Sequence, residues 1–131
     1  MPLVRIDLSA DASEALVSTV SRAVYDAMTA VANVPEDDKF QIVTRHAPDE
    51  LVYPDNGYLG VSYTRSLVFI QVTWVRGRSL EVKKAFYRAV ADNICGKTDF
   101  RREDIVISLV ESAREDWSFG NGEMQYAPKD A

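Results

Sequence analysis

Two β-prone runs begin 37 positions apart, near Leu3 and near Phe40, and the same interval separates two more, near Val68 and Ile105. A repeated interval of this kind marks a duplicated supersecondary unit. The junctions agree, since Pro35-Glu36-Asp37-Asp38 leads into the second run as Arg101-Arg102-Glu103-Asp104 leads into the fourth. Between the members of each pair lies a helical pattern. Asp11 or Ser13 supplies the first N-cap, and Leu16, Val20, Val24, Ala27 and Val31 recur every three or four residues until Asn33 and Pro35 stop the helix. Ser79 caps the second helix, whose stripe is Val82, Phe86, Val90 and Ile94, with Gly96 marking its end. The strands read as Leu3 to Leu8, Phe40 to Val43, Leu67 to Trp74 and Ile105 to Val110, the third being the most β-branched and aromatic and so the most buried.

Right-handed crossovers make the two strands of each unit parallel. Both helices on one face of a four-stranded sheet then give a two-layer α/β sandwich, with a C-terminal hairpin expected around Gly120 and Gly122. A loop containing Pro48, Pro54, Asp55, Asn56 and Gly57 divides a single domain, 1–131, into halves of about 1–60 and 61–131. No residues remain to cover the second sheet face. Self-association is the economical way to bury it.

Charge and cysteine usage narrow the chemistry. A net charge of −5 argues against a nucleic-acid partner, which usually meets a basic face. No run approaches the roughly 20 apolar residues of a membrane span, and no leader-like segment follows Met1, so the cytoplasm is the expected location. One cysteine, Cys95, and one histidine, His46, leave no disulfide and little means of binding a metal, and both are read as structural. A pocket for a small anion, lined by a few arginines, stays open.

Pro2 has two readings. It begins an edge strand, where its missing N–H costs nothing; or removal of Met1 leaves a secondary amine able to act as acid, base or nucleophile. Arg76 and Arg78 flank Gly77 between a strand end and a helix N-terminus, which suits a carboxylate as well as a solvated turn. Asp38 stands in an acidic cluster at the entrance to the second strand. In Asp116-Trp117-Ser118-Phe119-Gly120, two aromatics lead into a glycine-rich turn before Tyr126, as in a pocket wall, a subunit contact or plain packing.

Together, Pro2-Leu3, Val34-Pro35-Glu36-Asp37-Asp38, Gln41-Ile42-Val43, Lys84-Ala85-Phe86-Tyr87-Arg88 and Asp116-Trp117-Ser118-Phe119-Gly120 resemble the malonate semialdehyde decarboxylases of the tautomerase superfamily, across nearly the whole chain. The resemblance implies a homotrimer of duplicated β-α-β subunits. It implies Pro2 and Asp38 as catalytic residues, Arg76 and Arg78 as substrate-binding, and Trp117, Phe119 and Tyr126 as a hydrophobic wall. Here the arginine segment is one residue longer than the family's, with Gly77 in place of proline, and Tyr126 replaces a phenylalanine. The implied activity needs no cofactor and no metal: loss of carbon dioxide from a 3-oxo acid such as malonate semialdehyde. A phenylpyruvate-type tautomerase or a hydratase of unsaturated acids is the alternative, and a trimeric binding protein without catalysis is a third reading.

Overall fold

The computed structural model describes residues 2–127. It contains strand β1 (Leu3–Ser9), helix α1 (Glu14–Val31), β2 (Phe40–His46), β3 (Val68–Val75), α2 (Leu80–Lys97) and β4 (Ile105–Ser112), with single 3-10 turns at Pro48–Glu50, Arg102–Asp104 and Arg114–Asp116. The sheet order is β2-β1-β3-β4. The expected duplication is present as backbone register: β1 and β2 are parallel with Leu3 opposite Phe40, and β3 and β4 are parallel with Val68 opposite Ile105. The two units join through an antiparallel pairing of β1 with β3, in which Leu3 meets Thr73.

Both helices start alike. Ser13 and Ser79 are extended and accept from the backbone N–H groups of Leu16 and Val82, satisfying donors that a helix start leaves unpaired. They stand 66 positions apart, and that offset carries the buried stripe Val20, Val24, Met28 onto Phe86, Val90, Ile94. It also carries Asp38 onto Asp104. These stripes pack on Val4, Ile6 and Leu8 of β1 and on Ile70, Val72 and Trp74 of β3, so every second strand residue faces the helices. Trp74 and Phe86, with ring centroids 5.1 Å apart, fill the centre. The alternate residues face away, and there Phe40, Ile42 and Val110 are 45%, 43% and 41% exposed.

Several boundaries differ from the sequence reading. β1, β2 and β4 run on to Ser9, His46 and Ser112, because ladder pairing continues through Ser9 with His46 and Val75 with Ser112 after the apolar pattern has faded. β3 starts at Val68, although Leu67 before it is also buried. Gly96 stays helical: α2 ends one residue later, where the Thr98 hydroxyl donates to the Ile94 carbonyl at 2.7 Å. At the end of α1, Asn33 adopts φ 57°, a left-handed cap that lets the Val34 N–H reach the Met28 carbonyl at 3.3 Å. The C-terminal segment turns back on itself, but no strand follows β4 among the described residues. The Gln125 side chain takes the place of a ladder there, accepting from the Phe119 N–H at 2.9 Å and donating to the Gly120 carbonyl at 3.0 Å. Among the described residues no helix is long and apolar enough to cross a membrane.

Candidate active site

The start of β1 and the end of β3 meet at one end of the sheet. Pro2 precedes β1 and is buried, with the same parity as Val4, so it faces the helical layer. The register that pairs Leu3 with Phe40 and Thr73 brings Asp38 to the Pro2 end of β1 and puts Trp74 one step beyond Leu3 on the other side. Asp38 lies in a tight turn: its N–H donates to the Pro35 carbonyl and that of Lys39 to the Asp37 carbonyl, each at 3.1 Å. The Tyr25 hydroxyl on α1 donates to the Glu36 carbonyl and pins this turn, while the Lys39 ammonium sits 4.9 Å from the Tyr25 ring centroid. Both Asp38 carboxylate oxygens are shielded from solvent.

The two arginines separate. Arg76 extends the β3–β4 ladder, its N–H donating to the Ser112 carbonyl at 2.8 Å, and its side chain is exposed. Gly77 at φ 126° then reverses the chain, a conformation side chains rarely accept. Arg78 thereby returns over the core. Its Nε and Nη1 donate to the carbonyls of Ala32 and Val75, both at 3.0 Å, and its guanidinium lies 4.3 Å from the Trp74 ring centroid. Ala32 is the C-cap of α1, so Arg78 also satisfies a carbonyl that the helix end leaves open. Burial lowers the Arg78 pKa from its ordinary value, and the nearby Glu111 carboxylate opposes that shift. Even so lowered, a guanidinium stays cationic at neutral pH.

The aromatic wall assembles as a unit. Trp117 and Phe119 stack at 5.6 Å with planes 4° apart; Phe119 meets Phe40 at 5.5 Å and Tyr126 edge-on at 5.1 Å. The Trp117 Nε1 donates to the Ser112 hydroxyl at 2.8 Å, which itself donates to the Trp74 carbonyl at 3.0 Å. Arg114 lies 5.3 Å from the Tyr126 ring centroid. Between this wall and the sheet is a cavity of about 550 Å³, lined chiefly by Leu3, Phe40, Thr73, Trp117, Ser118 and Phe119.

The expected site residues thus fall into two adjoining groups. The register sets Pro2 beside Trp74, over which Arg78 lies, and brings the Asp38 turn to the same end of β1, whereas Trp117 and Phe119 line the cavity on the face away from the helices, with Tyr126 against Phe119. Leu3 and Ser112 join them, the first by sequence to Pro2 and the second by its bond to Trp74. Among the described residues the cavity lining includes neither arginine. Phe40, Thr73 and Ser112 were not singled out by the sequence. Phe40 was findable as the register partner of Leu3, while Ser112 carries no local signal. His46, read as structural, pairs with Asp7 at 2.6 Å near the far end of β1, with Arg5 3.7 Å from the same carboxylate oxygen. Among the described residues no three His, Cys, Asp or Glu side chains come together as a metal site.

A family model described as tautomerase enzyme matches residues 38–120. The chain belongs to the tautomerase family. Like this tautomerase-family chain in sequence is the probable tautomerase YusQ of Bacillus subtilis (strain 168), 41% identical over 125 residues that span 95% of this chain and 98% of that one. A solved structure of FG41 malonate semialdehyde decarboxylase inhibited by 3-bromopropiolate is 36% identical, with a TM-score of 0.88 over 95% of this chain and 93% of that one. At 18% identity, a symmetric trimer of wild-type fused 4-OT shares the fold, with a TM-score of 0.75 over 92% of this chain and 94% of that one.

Proposed function

We propose that this protein decarboxylates a 3-oxo acid, malonate semialdehyde above all, to acetaldehyde and carbon dioxide, using the Pro2 amine freed by removal of Met1. The observation that carries the reading is that the Pro2 end of β1 meets the end of β3 where Arg78 lies over Trp74, with the Asp38 turn at the same end and an aromatic cavity beside it. Likeness to a malonate semialdehyde decarboxylase at 36% identity supports the choice of substrate. Arg78 uses Nε and Nη1 on backbone carbonyls, which leaves Nη2 to take the substrate carboxylate and align its C–C bond with the carbonyl π system. Exposed Arg76 assists at the rim. A cationic Pro2 hydrogen-bonds the substrate carbonyl oxygen and passes it its proton as the C–C bond breaks, so carbon dioxide leaves, the bond's electrons move toward that oxygen and an enol results. A solvent proton adds to the enol carbon while the enol O–H proton returns to Pro2, which gives the aldehyde and restores the cationic amine. Asp38 favours the cationic form of Pro2, and Trp117, Phe119 and Tyr126 wall the cavity beside that end of the sheet against water.

A second reading is keto–enol tautomerisation of a phenylpyruvate-type acid, favoured by the wholly aromatic wall and by the relative described as a probable tautomerase. It needs a neutral Pro2 as base. We read the chain as one domain working in the cytoplasm as a homotrimer that covers the apolar side chains of Phe40, Ile42 and Val110. The test is turnover of malonate semialdehyde beside phenylpyruvate enol by wild type and Pro2→Ala, after intact-mass measurement has established loss of Met1. A fall of about 10²-fold or more in decarboxylation supports the reading. Wild-type turnover in Pro2→Ala overturns it, and a fall confined to the enol moves the assignment to the tautomerase.

A further inference from the structure

The row across the sheet end continues past Trp74. Its register partner on β4 is Glu111, which has the parity of the helix-facing residues. Glu111 therefore neighbours the indole over which the Arg78 guanidinium lies. Lys83, at the end of the first turn of α2, holds that carboxylate at 3.3 Å, and the two side chains are 26% and 41% exposed. The electrostatic influence of Glu111 on Arg78 agrees with this placement. Within this group there are two cations, Arg78 and Lys83, and one anion, Glu111, a contribution of +1 set against a background from Arg76, Pro2 and Asp38 that is the same in every variant below.

We infer that Glu111, held by Lys83, is a specificity-determining residue that matches the site to a monocarboxylate and disfavours a dicarboxylate. This rests on the reading of Arg78 as the carboxylate-binding group. With Glu111 neutralised that contribution is +2 and a dianion gains more than a monoanion; with Lys83 neutralised it is 0 and both lose. Solvent screens a half-exposed pair, so the effects are expected to be about 2–5-fold for each charge changed.

The test uses the whole chain, with propanoate as the monoanionic probe and malonate as the dianionic one. Dissociation constants are measured by calorimetry for wild type, Glu111→Gln, Lys83→Met and Arg78→Ala, at low salt and at high salt. The expected result is tighter malonate binding by Glu111→Gln, a smaller gain for propanoate, weaker binding of both by Lys83→Met, and shrinkage of these differences at high salt. An altered fold alone would not move the malonate-to-propanoate ratio in opposite directions in the two variants. If Arg78→Ala loses both acids while the ratio stays at its wild-type value in Glu111→Gln and Lys83→Met, the inference fails and the carboxylate role of Arg78 stands. If Arg78→Ala binds both acids as wild type does, the role of Arg78 fails and the inference falls with it.

Discussion

The two β-α-β units share a strand register, a helix length of 18 residues and a buried stripe, yet their corresponding aspartates meet different surroundings. Asp104 is 1% exposed and accepts from both the backbone N–H and the hydroxyl of Thr64, the former at 2.7 Å, with Arg101 3.9 Å away. It fastens the connection before β3 to the start of β4. Asp38 reaches the Pro2 end of β1 from a turn pinned by Tyr25. One position in a duplicated fold thus serves as a clamp in one unit and stands at the proposed reacting centre in the other. The surroundings differ: the Thr64 loop meets Asp104 in the second unit, whereas Asp38 sits in a turn at the Pro2 end of β1 in the first.

The comparison can be broken in graded steps. The largest effect is expected in the core, where Phe86→Ala should lower stability by about 4 kcal/mol and the corresponding Val20→Ala by about 2 kcal/mol, read from urea midpoints at constant slope. Equal losses would show that the units share the core evenly. Next come the aspartates. Asp104→Ala should cost about 2–3 kcal/mol, because it leaves the Thr64 donors without their acceptor, while turnover per folded molecule is kept. Asp38→Asn should lower turnover by about 10²-fold with a midpoint shift under about 1 kcal/mol. If both variants only destabilise, the two positions do the same work and the distinction collapses. The smallest effect is the most symmetrical: Ser13→Ala and Ser79→Ala should each cost about 1 kcal/mol, and the double variant should be additive within about 0.5 kcal/mol.

The duplication, the parallel pairing within each unit and both helix starts were legible in the sequence because they rest on local chemistry. Strand interval, Ser caps and an apolar period all act within a few turns of chain. The aromatic wall was legible as a cluster of Trp117, Phe119 and Tyr126, but its contact with Phe40 depends on the register of another unit. The second role of Arg78 had no sequence signal, since its bond to Ala32 spans 46 positions and exists only after the units have docked. The pairing of His46 with Asp7 escaped for the same reason, both residues being alternate members of strands that look ordinary alone. The hairpin after β4 was read from glycines and aromatics, which specify a reversal of direction without specifying what backbone will pair across it.

Arg78 closes the end of α1 through the Ala32 carbonyl, one residue before the left-handed Asn33 and two before Val34, whose N–H reaches back to Met28. The stability of that last helical turn is therefore tied to the position of one guanidinium. An acid that engages the guanidinium and restrains it should slow amide hydrogen exchange at Ala32 and Val34 while leaving the start of α1 unchanged, making a helix terminus the reporter of occupancy.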